Sequence, residues 1–129
     1  MLPITALAII EDHYLIGEGT HIVVYERTTS KYVTRQKLLS NQSIHGFTDC
    51  LVLPYVYEIY AWGGRQIRKI TITKTKTTDS IKVGPLIATA DWLLQVTSFS
   101  SAESLGFEVL LLTAHNVLLG LRGIKKDGQ

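Results

Sequence analysis

YLIGEGTHIVVYE, from Tyr14 to Glu26, decides the fold: two apolar runs meet at a short turn that carries Gly17 and Gly19. Glycine supplies the positive φ that tight hairpin turns demand, so the stretch predicts two antiparallel strands back to back. The pattern returns as EIYAWGGRQIRKITI around Gly63 and Gly64, and as EVLLLTAHNVLLGL around His115 and Asn116. A further short apolar segment precedes each hairpin, at Ile4 to Ile10, Ser43 to Leu53 and Asp91 to Phe99. The repeating unit therefore has at least three strands.

The three turns lie about 45 and about 52 residues apart, and multistranded repeats with periods of about 40–50 residues mark β-propeller blades. The expected fold is all-β, with about three blades of an incomplete propeller, over residues 1–40, 41–83 and 84–121. Residues 122–129 read as a polar tail. A blade cannot bury both faces by itself and gains stability by stacking on its neighbours. Three units predict two uncovered sheet faces, as in the opening part of a larger ring or a truncated gene product.

Within the units, Leu7, Ile9 and Ile10 are expected to begin a buried strand. Tyr32 to Leu39 suits a polar edge strand, whose charges discourage unwanted pairing. Pro54 interrupts LVLPYVYEIY and must sit at an edge, a bulge or a connection. Gly84 and Pro85 read as the punctuation before the third unit, in which Trp92, Leu94 and Val96 are expected on one strand face.

The totals permit an ordinary folded chain. Its 129 residues are 46% hydrophobic, which suffices for a sizeable core, and the formal charge of +2 is only mildly basic. The single cysteine, Cys50, excludes an internal disulfide, fits a reducing compartment and reads as a buried free thiol. MLPITALAIIEDHY lacks the leading cation of a secretory signal. No run reaches the ~20 apolar residues of a membrane-spanning helix, so a soluble cytoplasmic protein is expected.

Chemistry-bearing motifs are scarce. The glycine turns lead into strands, whereas a phosphate cradle needs a helix N-terminus to aim its amides. His13, His21, His45 and His115 stand far apart, with no partner at metal-ligand spacing, so no metal is expected, and His45 and His115 read as turn or packing residues. No activated serine or cysteine nucleophile is visible, so neither catalytic residues nor a cofactor are expected. The one surface feature with functional content is basic. Arg65, Arg68, Lys69, Lys74 and Lys76 follow Tyr57, Tyr60 and Trp62, a composition that could track an RNA backbone and stack on bases.

Five ordered runs carry a family resemblance: ITAL at Ile4 to Leu7, GEGTHIVVY at Gly17 to Tyr25, IHGF at Ile44 to Phe47, GGRQIRKI at Gly63 to Ile70, and ADWL at Ala90 to Leu93. In these the chain resembles the first blades of the WD repeat-containing protein 6 family, the WD40 partner subunit of the anticodon-loop tRNA ribose methyltransferase. The resemblance implies a non-catalytic subunit that docks the methyltransferase and helps position tRNA for 2′-O-methylation at the wobble nucleotide. S-adenosylmethionine would then belong to the partner enzyme. The Trp-Asp ending usual in a WD repeat is absent, and family members continue through many more blades.

Overall fold

The computed structural model describes residues 3–75, 79–98, 109–115 and 118–121. Eleven strands follow one another: β1 (Ile4–Ile10), β2 (His13–Glu18), β3 (His21–Glu26), β4 (Tyr32–Lys37), β5 (Gly46–Leu53), β6 (Val56–Gly63), β7 (Gln66–Lys74), β8 (Asp79–Ala88), β9 (Leu93–Ser98), β10 (Val109–Thr113) and β11 (Leu118–Leu121). They form three antiparallel meanders, β1-β2-β3-β4, β5-β6-β7-β8 and β9-β10-β11. The fold is thus all-β and built of consecutive blades. The hairpin turns lie where the glycines predict them, with φ of 61° at Gly19 and 58° at Gly64.

The sheets stack face to face. Leu15, Ile22, Val24, Leu38, Leu39 and Ile44 from the first meander and its exit close on Tyr57, Ile59, Ala61, Ile70 and Ile72 of the second. On the opposite face of the second sheet, Tyr60, Trp62 and Ile67 meet Leu93, Val96 and Leu111 of the third. Side chains alternate across a strand, so β6 feeds both seams, with Tyr57, Ile59 and Ala61 turned one way and Tyr60 and Trp62 the other.

Each glycine turn also takes amides from the connection to the following sheet. Leu38 and Leu39 donate to the Thr20 carbonyl and Ile44 to that of Gly19 at 2.7 Å, while Thr89 donates to Arg65 and Leu93 to Gly64 at 2.7 Å. The opposite turns repeat a second bond, Arg27 N–H to Asp12 and Lys74 N–H to Tyr55, each at 2.7 Å. Strand repeats are therefore matched by repeated backbone bonding at both ends.

Several expectations change. Leu7 and Ile9 are 69% and 59% exposed; Ala6, Ala8 and Ile10 are the β1 residues that pack on the first core. Alternation reveals two faces but not which one is covered, and the small alanines face inward because the neighbouring sheet comes close there. A Cβ on Gly17 would stand 3.2 Å from that of Ala6 and 3.1 Å from that of Ile44. Gly84 and Pro85 do not mark the end of the second unit, because β8 runs through them to Ala88, with its register against β7 shifted between Arg68 and Ile70. Proline is tolerated at such a bulge on an edge strand. In the third unit Val96 is buried, but Trp92 and Leu94 are 55% and 50% exposed, since the β9–β10 register also shifts, between Leu112 and Thr113. The polar tail, Asn116 and the Cys50 side chain lie outside the described residues.

Candidate functional site

The predicted basic residues do not gather into one patch. Arg65 is exposed at the β6–β7 turn, whereas Lys74 ends β7 about 30 Å away at the usual strand rise. Between them, Arg68 and Lys69 are adjacent in the strand and point to opposite faces. Arg68 is tied down, with Nε donating to the Gly84 carbonyl at 2.7 Å and Nη1 to that of Leu38 at 3.3 Å. Lys69 Nζ stands 3.5 Å from Glu58 Oε1 and 5.8 Å from the Tyr60 ring centroid. Lys74 pairs with Asp12. Lys76 lies outside the described residues. The upstream aromatics are core: Tyr57, Tyr60 and Trp62 are nearly fully buried, in seams and not on a stacking platform.

Among the described residues no group of three His, Cys, Asp or Glu side chains is arranged to hold a metal. No helix is long and apolar enough to cross a membrane.

One buried polar network escaped the sequence reading. His13, fully buried at the start of β2, places Nε2 at 2.6 Å from Asp79 Oδ2 and Nδ1 against the Tyr57 hydroxyl. A carboxylate only accepts, so Nε2–H donates to Asp79, while Nδ1 shares a hydrogen bond with the Tyr57 hydroxyl. Burial, and then the charges of Asp12, Asp79 and Glu11, push the Tyr57 hydroxyl far above its usual range, so it stays protonated. The three groups are 44 and 66 residues apart along the chain and join the first sheet to the second. No local spacing could have announced them.

Above this network lies an open cleft. The β1–β2 turn, with Glu11 and Asp12, forms one wall, and the end of β5 with its Pro54–Tyr55 turn forms the other. Pro54 therefore occupies a connection, one of the three places allowed to it. At the other rim, Asp91 Oδ1 accepts from Trp92 N–H at 2.8 Å, and Oδ2 accepts from His115 N–H at 3.1 Å and pairs with the His115 ring. That histidine does serve a turn, as expected. His45 packs its ring 5.1 Å from that of Trp62.

No protein-family model matches the chain, and no curated protein matches it in sequence. Among solved structures it is similar to the WD40 domain of SCAP from fission yeast, with a TM-score of 0.66 at 8% identity, over 89% of this chain and 28% of that one. The likeness assigns the fold: consecutive blades of WD40 type. The chain spans little more than a quarter of the length of that neighbour.

Proposed function

We propose that the chain is a non-catalytic docking module, which binds a tRNA 2′-O-methyltransferase in the cytoplasm and helps position tRNA for methylation of the wobble nucleotide. One observation supports it. Four of the runs that carry the family resemblance are bonded in two pairs at one rim: Ile44 of IHGF donates to Gly19 of GEGTHIVVY, and Leu93 of ADWL to Gly64 of GGRQIRKI. Trp92, 55% exposed, and the exposed Arg65 stand on that rim. A rigid rim of this kind serves catalysis by holding two macromolecules in register, which lowers the entropic cost at the chemical step.

The separation of the cations favours a second reading, docking of protein without contact to RNA. Two measurements distinguish them. Affinity capture with the tagged chain should recover the methyltransferase, and Trp92→Ala with Arg65→Glu should reduce recovery about tenfold. Wobble ribose methylation that is unchanged after deletion, with no methyltransferase captured, overturns the assignment. Filter binding of tRNA at two salt concentrations then tests RNA contact, which requires salt-sensitive affinity that falls on replacing Arg65.

A further inference from the structure

The rim opposite the glycine turns carries a cleft of about 430 Å³ at the junction of the first two sheets. Its apolar wall is exposed: Val52 by 41%, Leu53 by 51% and Tyr55 by 72%. Tyr55 is also conformationally costly. It follows Pro54 with φ of 71°, the position of a type II turn that glycine or asparagine normally fills. A bulky residue there sits in a disfavoured backbone region, yet its ring buries little in return.

The facing wall is acidic. Asp12 is paired with Lys74, but the carboxylate of Glu11 has no side-chain partner among the described residues. Arg27 reaches this turn through the Glu11 carbonyl, at 3.3 Å. Of the charged side chains that line the cleft, Glu11 and Asp12 thus outnumber Lys74. The Tyr57 hydroxyl on the floor of the cleft is pushed up first by burial and then by the charges of Asp12, Asp79 and Glu11.

We infer that this cleft docks a peptide segment of a partner protein in which a lysine or arginine stands beside a large apolar side chain, the cation meeting Glu11 and the apolar group lying against Leu53 and Tyr55. The inference rests on the docking role proposed above, but uses the other rim. An acidic wall disfavours nucleic acid, and an isolated apolar wall without the acidic one would not select a cation.

Fluorescence polarisation of the full chain with three labelled dodecapeptides tests it: one alternating arginine and leucine, one with glutamate for arginine, and one with serine for leucine. Only the first should bind, and Tyr55→Gly and Glu11→Lys should each weaken it about tenfold or more. Tyr55→Gly keeps the positive φ, so it removes the ring without endangering the turn. Equal binding of all three peptides, no binding of the first, or binding unaffected by Tyr55→Gly overturns the site. Methyltransferase capture lost with peptide binding intact upholds this site and counts against the function above; capture retained with no peptide bound counts against this site alone.

Discussion

The two seams between sheets perform the same architectural step with different polar groups at their margins. At the first, a broad apolar core is flanked at one end by the His13–Tyr57–Asp79 network and the Asp12–Lys74 pair, and at the other by amides donated to Gly19 and Thr20. At the second, the described residues show an apolar cluster, a bond from Thr48 Oγ1 to the Val96 carbonyl at 3.0 Å and amides donated to Arg65 and Gly64, while the Trp62 indole N–H finds no partner among the described residues. Apolar burial is nondirectional and sets how strongly sheets adhere, while polar bonds at the margins set their register. Both seams have amides at a glycine turn, and the first adds a buried side-chain network, so resistance to unfolding should concentrate there.

The largest test of that contrast is truncation in each core. Ile59→Ala, at a fully buried position in the first seam, should cost about 2–5 kcal/mol in urea denaturation, and Leu93→Ala in the second should fall toward the lower end of that range. A larger loss at Leu93 would reverse the ranking. Glycine contacts come next. A Cβ on Gly63 would collide with the Ser43 carbonyl, a backbone atom that cannot step aside, so Gly63→Ala should cost about 1–3 kcal/mol. Thermal melting of this variant and of Gly17→Ala, whose new Cβ would stand 3.1 Å from that of Ile44 and needs a shift of only a few tenths of an ångström, should show the greater drop at Gly63.

Removing the hydroxyl of Tyr57 leaves His13 Nδ1 buried without its hydrogen-bond partner. Tyr57→Phe should therefore lose about 1–3 kcal/mol by chemical denaturation, and a neutral result would mean that the network contributes nothing to the first seam.

The smallest effect is electrostatic. The hydrogen bond from Lys74 holds the Asp12 carboxyl below its ordinary 3.8, and the same bond raises Lys74 above 10.5. For the depressed acid, the contribution is present above 3.8 and lost as pH falls through the lowered value; for the raised base, it is present below 10.5 and lost as pH climbs past the raised value. With the side chains 49% and 30% exposed, solvent screening limits the pair to about 0.2–1 kcal/mol. Lys74→Met should flatten the acid limb of the stability profile below about pH 4 by that amount.

The contrast also explains what could be read from the chain. The turns at Gly19 and Gly64 were legible because glycine is the residue that positive φ selects, and the repeat spacing followed from them. Tyr55 was not, since it holds a positive φ without the glycine that would announce it. The outward turn of Leu7 and Ile9 is not legible, because strand periodicity is symmetric between faces and only the neighbouring sheet breaks that symmetry. The basic series between Arg65 and Lys74 looked continuous in sequence, but a strand spreads it over two faces and two rims. His13, Tyr57 and Asp79 meet only because sheets stack.

Stacking of separate meanders is tested most directly by nuclear Overhauser contacts in the isotopically labelled chain. The account predicts side-chain contacts of Leu15 and Ile44 with Ile59, and of the His13 ring with that of Tyr57, together with no interstrand Hα–Hα contacts between β4 and β5. A ladder of Hα–Hα contacts joining β4 to β5, as in one continuous barrel, would contradict it.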